Sequence, residues 1–232
     1  TVVNLIPRFY DVTGGELLVD GVNVKDLSQK ELRDIIGFVP QKGVLFSGTI
    51  ESNIKYSDEN MSDEQMINAA EIAQATEFIN GKTDKYKSEI AQGGNNVSGG
   101  QKQRLALAGI LCVKPDIIIL DEATSMLSPN SRKEVLDIIL KLHKETDITF
   151  IMITQYAEET VNADRIIVMN DGKIISSGVP EKIYSNEELI EKSQISLPYC
   201  VKIYNDLKKA GIFLDECPLN NERLVELLCR LK

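Results

Sequence analysis

The sequence predicts an α/β fold with a parallel sheet at its core, and two apolar segments carry that prediction. Residues 117–120 read Ile-Ile-Ile-Leu, a run closed by Asp121 and Glu122, which is typical of a parallel strand buried on both faces. Residues 148–154 are predicted to form a second buried strand, and a helix is expected between the two. A strand, a helix and a second strand make a βαβ unit, so the core sheet is predicted to be parallel here.

Antiparallel β hairpins and an inserted helical subdomain are expected around that core. Asp20-Gly21 and Asp171-Gly172 each lie between two short strand-like segments, and such dipeptides favour a type I′ hairpin turn. Ser28 with Glu31, and Ser62 with Gln65, are capping-box pairs that mark helix starts. The buried face of the second helix is predicted to consist of Met66, Ile67, Ala70 and Ala73. The helix between the two apolar strands is expected to be capped by residues 131–134.

A small C-terminal helical extension completes the predicted fold. A soft boundary is expected near residue 186, with a larger domain over residues 1–185 and the extension over residues 186–232. A helix is predicted to stop at Gly211, and a terminal helix follows it. The apolar stripe of this last helix either packs on its own domain or pairs with a second copy, and it consists of Leu224, Leu227, Leu228 and Leu231.

Composition excludes several classes of protein. The 232 residues are 43% hydrophobic and 26% charged, as in ordinary globular proteins, and the net charge of −9 without a basic stripe argues against a nucleic-acid partner. No apolar run approaches the roughly 18 residues that a membrane span needs, so work at a membrane is expected to require a partner. The cysteines lack CxxC pairing and are interpreted as reduced thiols: Cys112, Cys200, Cys217 and Cys229.

Two adjacent carboxylates and a glycine-rich junction are the candidate chemical groups. Asp121 and Glu122 follow a buried strand, at the edge where open α/β sheets bind ligands. One carboxylate there can hold Mg²⁺ while the next polarises a water that attacks a phosphate, although such a pair alone is more often an ordinary solvated strand end. Ser98, Gly99 and Gly100 precede a helix, whose exposed backbone amides and dipole favour an anion.

The order and spacing of these segments resemble ATP-binding-cassette (ABC) proteins. VSGGQKQR at residues 97–104 and IIILDEAT at residues 117–124 resemble the ABC signature and Walker B motifs. GFVPQKGVLFSGTIESNI at residues 37–54 resembles the Q-loop, with Gln41 as its glutamine. The resemblance covers residues 1 to about 180 and implies a P-loop NTPase-like fold.

The resemblance implies a role for each candidate residue, with ATP and Mg²⁺ as cofactors. Asp121 and Gln41 are implied as metal ligands, and Glu122, Gln155 and Gln41 as the catalytic residues. The residues implied to bind the nucleotide are Thr1, Ser98, Gly99, Gly100 and Gln101.

The family's working arrangement implies two partners. In relatives the signature contacts the γ-phosphate of ATP held by the opposite protomer, so a second ABC ATPase domain is expected, as a homo- or heterodimer. A transmembrane transporter subunit or domain is the other implied partner. The expected function is to couple ATP binding and hydrolysis to transport, at the cytoplasmic face of the cell membrane, as a peripheral chain or fused to a membrane domain.

Three features depart from the family's pattern. The phosphate-binding loop GxxxxGK[ST] is missing, and the chain is expected to be a fragment that begins at or beside the loop's last residue, with a decayed remnant as the alternative. Gln155 stands where a histidine is usual and cannot carry a positive charge, and the only histidine, His143, is not expected to replace it. Ser128 stands where an aspartate is usual. The alternative function is therefore a catalytically impaired cassette that donates its signature to a partner's ATP site.

The two halves of the chain resemble different branches of the family. Up to about Gly100 the sequence resembles exporter domains, including RFYDVTGGELLVDG at residues 8–21 and AQGG at residues 91–94. From Gly109 onward it resembles the ATPase subunits of energy-coupling-factor importers, whose small C-terminal segment dimerises. The two resemblances imply the same chemistry and opposite directions of transport.

Overall fold

A computed structural model of the chain describes residues 2–41, 43 and 45–231. Contacts divide the chain into two compact units, Thr1–Ile153 and Thr154–Lys232. The functional boundary expected near residue 186 lies inside the second unit and stays a prediction. Within the described ranges, no helix combines the length and the apolar character that crossing a membrane demands.

The first unit combines short hairpins, a parallel sheet and a group of helices. Its strands are β1 (Leu18–Val19), β2 (Val22–Asn23), β3 (Ile36–Val39), β4 (Gly48–Thr49), β5 (Glu89–Ile90), β6 (Ile117–Asp121) and β7 (Thr149–Ile153). Its α-helices are α1 (Gln29–Asp34), α2 (Ile50–Ile54), α3 (Asp63–Ile72), α4 (Thr76–Asn80), α5 (Gly99–Cys112) and α6 (Pro129–Glu145).

The parallel sheet has the order β3-β6-β7 and confirms the predicted βαβ unit, with α6 joining β6 to β7. Leu120 of β6 pairs with Val39 of β3 on one side and with Met152 of β7 on the other. Ile118 and Ile119 are 0% exposed, as expected for a central strand covered on both faces. The prediction that β7 is buried is wrong: it is the edge strand of this sheet among the described residues, and its side chains are half-buried or exposed.

The hairpin and capping-box predictions are confirmed in this unit, with one error. Asp20 and Gly21 both have positive φ, at 50° and 79°, which is the signature of a type I′ turn. Ser28 and Ser62 cap α1 and α3 in reciprocal boxes. The predicted buried face of α3 is wrong at Ile67, which is 40% exposed, whereas its other three members are buried: Met66, Ala70 and Ala73.

The start of α6 differs from the prediction. The helix begins at Pro129, and Ser128 is its N-cap, whose Oγ accepts a hydrogen bond from the Ser131 N–H at 3.3 Å. Ser131 is therefore the third helical residue and not part of the cap. The sequence signal was present, because proline is favoured at the first helical position directly after a serine cap.

The second unit pairs one hairpin with four helices in its described part. The elements are β8 (Ile166–Asn170), β9 (Lys173–Gly178), α7 (Pro180–Tyr184), α8 (Glu187–Ser193), α9 (Tyr199–Lys209) and α10 (Asn221–Arg230). The hairpin turns at Asp171 and Gly172, both with positive φ, as predicted.

The apolar stripe of α10 packs partly within its own unit. Leu224 and Leu227 are buried in a small cluster with Cys200 and Leu214, which joins α10 to α9. Leu231 follows the last residue of the helix and is 45% exposed. Leu228 is half-buried against the same cluster, so three of the four residues of the predicted stripe have an intrachain partner.

Candidate active site

The turn after β6 holds Glu122 in an uncommon backbone conformation. Glu122 has φ +48°, in the left-handed region that a non-glycine residue rarely adopts. Its N–H donates to the Ile153 carbonyl at 3.0 Å, and its own carbonyl accepts from both the N–H and the Oγ of Ser125, at 3.0 and 2.8 Å. Such a conformation costs of order 1–3 kcal/mol, so it persists only where surrounding bonds enforce it, as they do here.

Gln41 reaches this turn from the neighbouring strand. Its Nε2 donates to Oε2 of Glu122 at 3.1 Å and to Oγ of Ser125 at 3.3 Å. The two segments meet because β3 and β6 are adjacent and parallel, which brings their carboxyl ends to the same edge of the sheet. Because Nε2 of Gln41 faces the carboxylate, its Oε1 is the atom with lone pairs that suit a cation.

The signature segment forms a capping box at the start of α5. Oγ of Ser98 accepts from the Gln101 N–H at 3.2 Å, and Oε1 of Gln101 accepts from the Ser98 N–H at 3.1 Å. The Ser98 hydroxyl proton is not used in this box and can donate to a ligand. Gly99 and Gly100 occupy the first helical turn, where N–H groups have no acceptor inside the helix. This end of α5 therefore suits an anion.

Both signature glycines pack closely on the start of α6 and the loop before it. A Cβ on Gly100 would lie 2.8 Å from Oγ and 2.9 Å from Cβ of Ser131, and one on Gly99 would lie 3.2 Å from Cδ2 of Leu127. A side chain at residue 100 is therefore excluded unless α6 moves. Ser128, where the family usually has an aspartate, retains the capping role through its neutral hydroxyl.

The predicted site residues fall into separate groups. Gln41 and Glu122 are joined directly, and Asp121 is the last residue of β6. Gln155 belongs to the second unit, where its backbone carbonyl accepts a hydrogen bond from Oγ of Ser196 at 3.1 Å. Thr1 lies outside the described residues. The roles assigned to all of these residues stay predictions.

Two residues of this region were missed in the sequence. Ser125 braces Glu122, and Gln103 is a buried glutamine on α5, whose Nε2 donates to the Ala123 carbonyl at 2.7 Å. Periodicity offered a signal for Gln103, because Leu107 lies one turn further along the same face of the helix and is buried. A polar residue on the buried face of a helix needs a specific partner.

The polar side chains at the end of β6 suit a cation whose remaining ligands come from water and from the phosphate of the substrate. Within the described ranges, no group of three or more histidine, cysteine or acidic side chains could hold a metal ion. Mg²⁺ does not require such a cage, because it is usually held by one or two carboxylates together with water and phosphate oxygens. The Asp121 carboxylate and Oε1 of Gln41 supply oxygen atoms of the kind that Mg²⁺ prefers.

Comparison with known proteins decides the family. Residues 1–125 match the family described as ABC transporter. The chain belongs to the ABC transporter family. A solved structure described as a bacterial Atm1-family ABC exporter with ATP bound matches with a TM-score of 0.76 and 30% identity, over 83% of this chain and 34% of that chain. The predicted P-loop NTPase-like α/β fold is confirmed by this match.

Curated relatives of this chain carry names of export proteins. Two of them, from Staphylococcus aureus strains NCTC 8325 / PS 47 and bovine RF122/ET3-1, are named as multidrug export ATP-binding/permease proteins. Each is 39% identical over 194 residues, which is 82% of this chain and 33% of the relative. This ABC chain therefore spans about a third of the length of the curated relatives it matches. The importer-like resemblance of its later part stays a prediction.

Proposed function

We propose that this chain is the nucleotide-binding part of an ABC exporter, in which binding and hydrolysis of MgATP drive a substrate across a membrane. The observation that carries the proposal is the Gln41–Glu122 hydrogen bond at the end of the parallel sheet. It joins the Q-loop residue to the carboxylate after Walker B, in a chain similar to exporters over more than four fifths of its length.

Each residue of the site has a distinct task in this proposal. Glu122 acts as the base, because its carboxylate orients the attacking water towards the γ-phosphate and accepts a proton from it. Gln41 holds the Glu122 carboxylate in place through Nε2 and offers Oε1 to the cation. Asp121 is the principal protein ligand of Mg²⁺, which when bound neutralises charge on the phosphate oxygens. Gln155 keeps its predicted catalytic role as a neutral hydrogen-bonding residue.

The signature serves a second ABC ATPase domain in this proposal. Ser98 and Gly99 are exposed, so their hydroxyl and amide are accessible to a nucleotide carried by another protomer. Gly100 and Gln101 set the geometry of the same turn. Two such domains would close over ATP and separate after hydrolysis, and a transmembrane domain or subunit would convert that movement into transport at the cytoplasmic face of the membrane.

The C-terminal extension over residues 186–232 is proposed as a separate functional segment that assists dimerisation. Its helices α9 and α10 share a small core of their own around Leu224 and Leu227. Phe213, in the loop that joins them, is 68% exposed and is available to a second copy. Deleting residues 186–232 is expected to weaken dimerisation in analytical ultracentrifugation, and an unchanged dimer would contradict this role.

Metal dependence tests the proposed function. The protein as its gene encodes it, with any residues that flank these 232, is expected to release phosphate from ATP only when Mg²⁺ is present. Asp121→Asn should raise the Mg²⁺ concentration for half-maximal turnover about tenfold, because one charged ligand is lost. Asp116→Asn, an exposed aspartate just before β6, is the matched control. Equal Mg²⁺ dependence of the two variants would overturn the assignment.

A second candidate is the catalytically impaired cassette, and the neutral residues Gln155 and Ser128 favour it. In that case the signature of this chain would contact ATP that is bound to another protomer. Ser98→Glu in this chain would then abolish hydrolysis by an intact partner in a mixed dimer, since the added carboxylate repels the phosphate. Glu122→Gln in this chain would leave the same hydrolysis unchanged. Loss of turnover with both variants would favour the first candidate.

A further inference from the structure

Gln103 is a buried polar side chain whose amide nitrogen is hydrogen-bonded while its oxygen has no partner in the part of the chain that the structure describes. It lies on α5 and is 5% exposed. Its Nε2 donates to the Ala123 carbonyl at 2.7 Å, and its buried Oε1 has no hydrogen-bond partner among the described residues. Buried amides normally satisfy both ends, so the arrangement points to a function beyond packing.

The bond from Gln103 reaches the backbone that presents Glu122. Ala123 directly follows Glu122, whose φ of +48° is held from inside the turn by Ser125 and from the sheet by Ile153. The Gln103 amide adds a restraint from α5, at the carbonyl of the peptide unit between Ala123 and Thr124. A strained conformation needs several restraints, and this one comes from a different element of the fold.

The same amide also lies against the loop that follows Gln41. A Cβ built on Gly43 would have three atoms of the Gln103 side chain as its nearest neighbours: Oε1 at 3.4 Å, Cδ at 3.6 Å and Nε2 at 3.7 Å. Gly43 stands two residues after Gln41 in the sequence. One buried amide therefore hydrogen-bonds the turn that follows Glu122 and lies beside Gly43, while its own helix begins with the signature.

We propose that Gln103 is a positioning residue for hydrolysis, which ties the signature helix to the backbone of Ala123, directly after Glu122. The inference rests on the proposed function, because it concerns the same hydrolytic site. Since α5 begins with Ser98, Gly99 and Gly100, a shift of this helix when the signature engages a nucleotide is transmitted through Gln103 to Glu122.

Substitution of Gln103 by methionine is the first test. Gln103→Met keeps the length of the side chain and removes both polar ends, whereas Leu107→Met changes the same buried face without touching a polar contact. In the protein as its gene encodes it, Gln103→Met is expected to lower kcat about tenfold, as the loss of one buried hydrogen bond would, and to leave KM for MgATP within about twofold. Leu107→Met should leave both constants near their native values.

The Gln103→Glu variant supplies a pH signature that simple packing would not. A protonated glutamic acid can donate to the Ala123 carbonyl in place of Nε2, whereas the carboxylate repels that oxygen. Burial favours the protonated form, so kcat relative to the native protein should recover as the pH falls from about 8 to about 6. A flat ratio over that range would contradict the donor role of Gln103.

Amide hydrogen exchange tests the positioning role of Gln103 without a measurement of turnover. The Ser125 and Leu127 amides donate to the carbonyls of Glu122 and Thr124 inside the turn. Both should exchange about tenfold faster in Gln103→Met than in Leu107→Met. If they exchange equally in the two variants, Gln103 does not position the turn. If the turn loosens but the native protein shows no hydrolysis, the proposed function fails and the structural link from Gln103 to the Glu122 turn stands.

Discussion

The side-chain amide of Gln41 donates a hydrogen bond of 3.1 Å to the carboxylate of Glu122, 81 residues further along the chain. This contact joins the end of β3 to the turn after β6, and Ser125 accepts from the same amide nitrogen. The side chains of Gln41, Glu122 and Ser125 therefore form one hydrogen-bonded unit.

Gln41→Met is predicted to lower the turnover of ATP about tenfold, because Glu122 loses a restraint and the cation loses an acceptor. Steady-state phosphate release by the gene-encoded protein measures this effect. Gln29→Met, at the exposed start of α1, is the matched control and should retain native turnover. A Gln41→Met variant with native turnover would show that the 3.1 Å contact has no part in hydrolysis.

Gly100→Ala is predicted to destabilise the first unit, because overpacking costs about 1–3 kcal/mol. The better helix propensity of alanine offsets up to about 1 kcal/mol of that loss. The cause is the overlap of the new Cβ with Ser131 at 2.8–2.9 Å. Urea unfolding measures the loss. Gly14→Ala is the control, since nothing lies within 4 Å of a Cβ there.

Ser131 provides a second-site check on that explanation. Ser131→Gly removes the Cβ and Oγ atoms that the new Cβ of Gly100→Ala would meet. In the Ser131→Gly background, Gly100→Ala should therefore cause little further loss of stability. Additive losses would mean that another contact is responsible.

Ser128→Ala is predicted to lower the free energy of unfolding by about 1 kcal/mol, because the N-cap of α6 is lost. Ser128→Asp should keep the cap and add about 0.3–1 kcal/mol through the dipole of α6. Thermal unfolding of the two variants measures both effects. A Ser128→Asp variant that unfolds like Ser128→Ala would refute the capping role inferred for this residue.

The ion pairs of Lys55 predict a defined pH window for stability. Lys55 hydrogen-bonds Asp63 at 2.6 Å and Glu51 at 2.9 Å, which lowers the pKa of Asp63 and raises that of Lys55. A lowered carboxyl pKa contributes stability above the unfolded pKa, and that stability is lost as the pH falls through the folded pKa. A raised lysine pKa contributes below its unfolded value and is lost as the pH rises through the folded one.

Lys55→Met should therefore lower the urea midpoint between about pH 4 and about pH 10, and the difference from the native chain should shrink outside that window. Lys30→Met, on the exposed side of α1, is the control. A difference that stays constant down to about pH 2 would indicate lost packing of the lysine stem instead of lost ion pairs.

Sequence patterns predicted the parts of the fold that depend on local chemistry. The type I′ turn at Asp20-Gly21 and the capping box at Ser62 are confirmed because the residues that define them lie within four positions of one another. The buried strand β6 is confirmed because a run of isoleucines has few other stable environments. The exposure of Ile67 and of β7 was not predicted, since burial depends on which elements pack against a segment.

The candidate site divides in the same way. Asp121, Glu122 and the signature were predicted from motifs, whereas Ser125 and Gln103 were missed because their partners are backbone atoms that no sequence pattern identifies. The left-handed φ of Glu122 was likewise invisible, since glutamate carries no preference for that conformation.

Single-turnover ATP hydrolysis by a Glu122→Gln variant tests the central claim most directly. The gene-encoded protein should bind ATP as before but hydrolyse it about 10²–10⁴ times more slowly, because the amide cannot accept the proton of the attacking water. Glu145→Gln, at the exposed end of α6, should hydrolyse ATP at the native rate. Equal rates for Glu122→Gln and the native protein would contradict the assignment of Glu122 as the hydrolytic base.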